Sequence, residues 1–429
     1  MLIDDFISLG KSKKQLSWTA SNLIPLIGEY KGNCIGKGML LSGRRGQLFN
    51  WSPFFNEEGN YNVSVVGKSG SGKSFFMQEL IVALSGSGCK VFVIDDGYSF
   101  EQTLRILGGD FVEFSTKRKL SINPFSIIDE RKFNTDSDYR SSITSFIINI
   151  LSQMARNDSV CSEEEKKDLE KAIEIAWNKK GKKCDIDSII EVLASDKSDN
   201  RKNNLSHLLH SFSKKGVYGE YFQGSSAINI NQSLLGFELS EVKTQKHLQK
   251  VIMLTIMFLI SESIYRGGRE DTAIVIDEAW DLIGGGEMAI FMEGLARRIR
   301  KYGGSIIFGT QSVNDFYKNK ASQACFENSD WRIFLPQKPE SIDLLKQDKK
   351  LSINEYQENI LRNIKKSNQF SELVISGPDT FTVGRLICDP YSIMLYSSKA
   401  EHFQRKKELI DSGMSVAAAI EQAKNEFFN

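Results

Sequence analysis

Cysteine and histidine are scarce in this chain, and neither is grouped. The six cysteines (Cys34, Cys89, Cys161, Cys184, Cys325 and Cys388) stand singly with no CxxC pair. The four histidines (His207, His210, His247 and His402) have no cysteine or acidic cluster at ligand spacing. This spacing argues against a structural metal and reads as free thiols in a reducing compartment. An excess of one charge is also missing: 55 Lys and Arg face 54 Asp and Glu, so any nucleic-acid or membrane-surface contact must be local. The N-terminus lacks signal-peptide organisation, because Asp4 and Asp5 interrupt it and no long apolar core follows. The most apolar run, Val251 to Ile260, is shorter than the roughly 17 residues that cross a bilayer and reads as a buried helix. The expectation is a cytoplasmic chain with no transmembrane segment of its own.

What is present is a globular composition, 41% hydrophobic and 25% charged, which excludes disorder and a fibrous fold. At 429 residues the chain accommodates a large core and an accessory domain. Residues 1–58 read as a β-rich lead-in, with a hairpin suggested by Met39-Leu40-Leu41, the turn Gly43-Arg44-Arg45-Gly46, and Gln47 to Trp51. Tyr61 to Val66 and Val91 to Ile94 are apolar strands. A glycine-rich turn and a helical pattern (Phe75, Phe76, Leu80, Ile81, Leu84) lie between them. That β-turn-α-β order at short spacing means a parallel sheet with crossover helices.

Over residues 129–215 strand signals vanish and helical, charge-rich runs dominate, which reads as an all-α insertion with solvated faces. The sheet resumes with Gly236 to Leu239, Thr272 to Ile276, Ser305 to Phe308 and Trp331 to Leu335. Ser371 to Ile375 and Thr380 to Ile387 read as an antiparallel edge pair. The expected division is therefore a core over 59–128 and 216–398, the insertion between, and a helical tail over 399–429. In fold class this is α/β with a mostly parallel central sheet.

Gly67-Lys68-Ser69-Gly70-Ser71-Gly72-Lys73-Ser74 matches GxxxxGK[ST] in the required context, a strand before and a helix after. The glycines let successive backbone N–H groups point at phosphate oxygens, aided by the helix N-terminus. Lys73 supplies a mobile positive charge to the β- and γ-phosphates of ATP, Ser74 offers a hydroxyl to Mg2+, and Phe75 follows directly. A glycine-rich turn without a ligand is the bland alternative, and the complete motif disfavours it.

Ala273 to Ile276 is an apolar strand ending in Asp277-Glu278. Alone such an ending is common; after a complete phosphate loop it places Asp277 at the Mg2+ shell and Glu278 where it polarises an attacking water. Phe308-Gly309-Thr310-Gln311-Ser312 closes another strand, and strand C-termini in a parallel sheet share one edge, so Gln311 should lie beside Glu278. Among the arginines (Arg297, Arg298, Arg300, Arg332 and Arg385), Arg385 is the preferred candidate to reach a neighbouring subunit's phosphates, since Gly384-Arg385 lies in a late β pair.

Several segments together resemble the TraC family, the conjugation ATPases of F-like type IV secretion systems within the FtsK–HerA group of P-loop motors. They include Gly46-Gln47-Leu48-Phe49, Glu58 to Val63, Gly67 to Leu80, Val93-Ile94-Asp95-Asp96-Gly97 and Ile122-Asn123-Pro124-Phe125. Ile276-Asp277-Glu278-Ala279-Trp280 and Gly309-Thr310-Gln311-Ser312 continue the match, which runs from about Leu23 to Phe403. The resemblance implies a RecA-like ATPase core that works as a hexamer, or passes through one, on the cytoplasmic face of the bacterial inner membrane beside other secretion components. It also implies that Lys73, Ser74, Asp277, Glu278 and Gln311 carry the roles argued above. Members carry a large N-terminal domain ahead of this ATPase half. Two rival readings are a DNA-pumping coupling protein or FtsK-like motor, with single-stranded DNA as partner, and a non-catalytic scaffold that uses nucleotide to assemble.

Overall fold

The computed structural model describes residues 17, 30–115, 120–196, 198–226, 228–278, 280–347, 353–367 and 369–428. Of the expected lead-in, residues 1–29 other than Ser17 lie outside these. In chain order the elements begin with the hairpin β1 (Met39–Ser42) and β2 (Leu48–Trp51), then β3 (Val63–Val66), α1 (Lys73–Gly86), β4 (Lys90–Asp95), α2 (Glu101–Ile106) and β5 (Asp110–Glu113). Five helices follow: α3 (Glu130–Thr135), α4 (Ser137–Ala155), α5 (Glu163–Lys180), α6 (Ile186–Leu193) and α7 (Asn200–Leu209). Then come β6 (Leu234–Glu238), α8 (Lys246–Arg266), β7 (Thr272–Asp277), α9 (Trp280–Ile283), α10 (Gly286–Arg298), β8 (Gly304–Thr310), α11 (Val313–Phe316), α12 (Lys320–Glu327) and β9 (Trp331–Phe334). The chain continues through α13 (Pro339–Gln347), α14 (Glu355–Asn363), β10 (Ser371–Gly377) and β11 (Thr380–Leu386), and ends in α15 (Pro390–Tyr396), α16 (Ala400–Asp411) and α17 (Val416–Phe428).

The described strands form one sheet in the order β2-β1-β11-β10-β9-β3-β8-β7-β4-β6-β5. From β9 to β5 every pairing is parallel; from β2 to β9 every pairing is antiparallel. The parallel strands are covered on both sides, which is why β3 and β7 are buried along their whole length and β7 is continuously apolar from Ala273 to Ile276. Alternation still sorts their side chains between faces. Val63, Val65, Val91, Val93 and Val275 share a cluster with Phe76, Leu80 and Leu84 of α1, while Phe92, Ile94, Ile274, Ile276 and Phe308 join the cluster containing α8.

Helix α8 is the one described helix whose composition would allow it to span a bilayer, with mean hydropathy 1.4 in its apolar window, yet 83% of that window is buried inside the protein. It is the core helix of one sheet face. Helices α4 and α5 pack on the same face: Phe146 of α4 stacks on Phe258 of α8, and Ile147, Leu151 and Leu169 enter the same cluster. Buried polar contacts lock the two together. Glu287 of α10 accepts from Ser152 Oγ at 2.8 Å and pairs with Lys166 at 3.1 Å.

Strands β10 and β11 are antiparallel but not at the edge, where the sequence placed them. The β1–β2 hairpin continues the sheet beyond β11, with Ser42 opposite Arg385. Glu372, 1% exposed, is the fastener: its carboxylate accepts Arg44 Nε and Nη2 at 3.0 Å each and Arg385 Nε at 3.2 Å. Pairing two guanidinium groups offsets the cost of burying that charge.

Candidate nucleotide site

The loop between β3 and α1 reverses direction through Gly72, at φ 100°. A side chain there is excluded twice, by the left-handed backbone and by Ser371 Oγ, which lies 2.9 Å from where a Cβ would sit. The loop is braced from both neighbouring strands. Gly67 N donates to Thr310 O at 3.1 Å, Lys68 N to Pro336 O at 3.2 Å, and Ser371 Oγ to Ser71 O at 3.0 Å. The first turn of α1 directs its unpaired N–H groups and its positive dipole end into the concavity.

A cavity of about 270 Å3 opens over this loop, lined by Lys68 to Gly70, Gly72 to Phe75, Asp277, Glu278 and Gln311. Every expected phosphate-loop position except Gly67 and Ser71 lines it; those two close the loop underneath. Lys73 is 8% exposed, and its ammonium bonds both Asp277 Oδ1 and Glu278 Oε1, the second at 2.7 Å. Burial alone lowers the pKa of this ammonium, but the charges and hydrogen bonds of the two carboxylates outweigh it and hold the group above the ordinary lysine value. Burial raises the pKa of Glu278, and the Lys73 charge and a hydrogen bond from Gln311 only partly offset this.

Glu278 is one of two described non-glycine residues at positive φ, at 56°. The strain of such a conformation is about 1–3 kcal/mol, held here by Glu278 N donating to Gly309 O at 3.1 Å. The kink turns the carboxylate off the end of β7 and into the cavity. Trp280 Nε1 donates to the same Gly309 oxygen at 3.0 Å and fixes the chain beyond. A Cβ at Gly309 would stand 2.5 Å from Asp277 Oδ1 and 2.6 Å from Met77 Sδ. Gly309→Ala is therefore expected to cost about 1–3 kcal/mol of stability and to displace the Asp277 carboxylate. The check is a thermal melt alongside a nucleotide-binding titration; wild-type values in both would contradict the packing argument.

The cavity also contains residues that motif reading did not assign. Asp95 ends β4, beside β7, and Asp96 and Ser99 follow it; the strand order of a parallel sheet carried a signal for these. Burial, Glu238 and Asp277 raise the Asp95 carboxyl well above the usual range. Lys366 and Ser398 arrive from the β10 approach and the link between α15 and α16, where no local pattern marks them. Lys366 Nζ donates to Gly70 O at 3.1 Å and lies 5.6 Å from the Phe75 ring centroid.

Arg385 lies elsewhere, bound to Glu372, with its guanidinium 4.4 Å over the Phe370 ring. Arg332 covers Phe326, Arg297 pairs with Glu293, and Arg298 Nε donates to Gly294 O; none of these lines the cavity. For a magnesium ion the donor set fits: the Ser74 hydroxyl and Asp277 carboxylate are hard oxygen ligands at the cavity wall.

Together with the parallel sheet, this cradle places the protein in the P-loop class of nucleotide-binding folds with a RecA-like core. More narrowly, it belongs to the family of the TraG P-loop domain, whose model matches residues 55–427. The TraC resemblance extends along the chain: Protein TraC of Escherichia coli (strain K12) is 26% identical over 434 residues, covering 96% of this chain and 48% of TraC. The type IV secretion system protein virB4 of Bartonella henselae is 23% identical over 334 residues, covering 77% of this chain and 40% of that protein. The solved structure of VirB4 of Thermoanaerobacter pseudethanolicus matches with a TM-score of 0.70 at 21% identity, over 85% of this chain and 100% of that one. The chain spans about half the length of the curated relatives it matches.

Proposed function

We propose that the protein is an ATP-hydrolysing motor of a type IV secretion or conjugation system, energising pilus assembly and substrate transfer. The observation that carries this is the meeting of Lys73, Asp277, Glu278 and Gln311 in one cavity over the phosphate loop. Lys73 binds the β- and γ-phosphates, and in doing so exchanges its two carboxylate partners for phosphate oxygens. Glu278 is thereby released to accept a proton from water, with a pKa that burial has moved toward the range useful to a base. Gln311 donates to that carboxylate and sits where it can also orient the water. Ser74 and Asp277 would hold Mg2+, which when bound neutralises charge on the phosphates.

The site works between subunits of a hexamer at the cytoplasmic face of the inner membrane, and Arg385 of one subunit serves the phosphate loop of the next. Glu372 then acts as its holder. Mixing inactive Lys73→Ala protein with inactive Arg385→Ala protein should restore part of the activity, since some interfaces pair an intact loop with an intact arginine. No recovery in a mixture shown by sedimentation to co-assemble would remove Arg385 from this role. The secretion reading itself is tested by phosphate release with and without single-stranded DNA. Magnesium-dependent turnover indifferent to DNA is expected; strong stimulation by DNA would favour a DNA-pumping motor instead.

A further inference from the structure

A second cavity, of about 220 Å3, adjoins the phosphate cavity and shares Ser74, Ser99 and Ser398 with it. These shared side chains put it next to the place where a ligand's phosphates would lie over Lys73. The volume corresponds to about seven waters, room for a bicyclic base. Its walls are Gln78 of α1, Tyr98 and Gln102 of the β4–α2 region, and Phe403 of α16.

Three features distinguish it from a packing gap. The walls are fixed: the Gln78 amide, 1% exposed, donates to Tyr396 O at 3.3 Å and accepts from Thr103 Oγ1 at 2.6 Å, tying α1, α2 and α15 together. Tyr98 is held at φ 56° by its N–H donating to Glu238 Oε2 at 2.7 Å. Its side chain and that of Phe403, 41% exposed, both line the cavity and offer aromatic surface to a planar group. Lastly, Gln102 Oε1 is buried and accepts no hydrogen bond from any described residue. A buried acceptor without a donor is costly, and a ligand N–H would satisfy it.

We infer that this cavity takes the purine base of the nucleotide and that Gln102 Oε1 accepts a hydrogen bond from the exocyclic 6-amino group of adenine. The inference rests on the phosphate-cradle reading and makes Gln102 the residue that selects ATP over purines lacking that amino group.

The test is a calorimetric titration, with Mg2+, of ATP, purine riboside 5′-triphosphate and inorganic tripolyphosphate. Wild-type protein should bind ATP about tenfold more tightly than purine riboside triphosphate, the usual effect of one hydrogen bond to an otherwise unsatisfied buried acceptor. Gln102→Ala should lose that tenfold preference while binding tripolyphosphate as the wild type does, which also shows that the variant is folded. Equal wild-type affinity for the two triphosphates would overturn the assignment without any mutant. So would a parallel loss of tripolyphosphate binding in Gln102→Ala, since the residue would then support the loop rather than read the base. If wild-type protein binds no tripolyphosphate at all, the phosphate cradle itself fails and the base pocket falls with it.

Discussion

Lys73→Ala is expected to lower ATP affinity by at least about a hundredfold and to abolish turnover. The ammonium is the side-chain cation that the loop motif aims at the phosphates, and charge-assisted hydrogen bonds of this kind are the strong ones. The substitution has a second effect that the structure makes explicit. Asp277 and Glu278 both bond Lys73, so its loss leaves two neighbouring carboxylates facing an anionic ligand. Repulsion then adds to the lost attraction. Calorimetry with the folded variant measures both together. Unchanged affinity and rate would remove the phosphate loop from the account.

Glu278→Gln should behave differently, binding ATP but hydrolysing it at least about a hundredfold more slowly, the usual scale of a lost general base. Glutamine keeps the shape and can keep the hydrogen bond with Lys73, but it accepts no proton. The variant should therefore accumulate in an ATP-bound state, visible as retained nucleotide after rapid gel filtration. Near wild-type turnover would mean that another acid in the same cavity organises the water, and Asp96 just after β4 is the first to examine.

The parts of the site legible in the sequence are those in which local pattern and chemistry coincide. The strand–loop–helix around Gly67 to Ser74 announces itself, and Asp277 and Gln311 follow because parallel strands deliver their C-terminal residues to one edge. The same rule extends to Asp95 and Asp96, which the motif reading left without a role. What was not legible depends on pairings distant in sequence. Lys366 reaches Gly70 only because β10 runs antiparallel to β9 beside the loop strand, and the run before Ser371 carries no mark of that position. Ser398 arrives with the C-terminal helices, whose docking on α1 rests on Tyr396 against Phe75 and Glu79. The internal place of β10 and β11 was missed for a similar reason. It depends on Glu372 gathering Arg44 and Arg385 from segments more than 300 residues apart, 328 in the case of Arg44 and Glu372. The left-handed backbone of Glu278 is likewise a tertiary outcome, set by Gly309 on the neighbouring strand.

The central claim, that this cavity hydrolyses ATP in an assembly, is tested most directly by the rate of phosphate release per subunit as wild-type protein is titrated from dilute monomer to assembled ring. Turnover that requires Mg2+ and rises cooperatively with assembly is the predicted result. Folded, assembled protein that releases no phosphate at any concentration would contradict it.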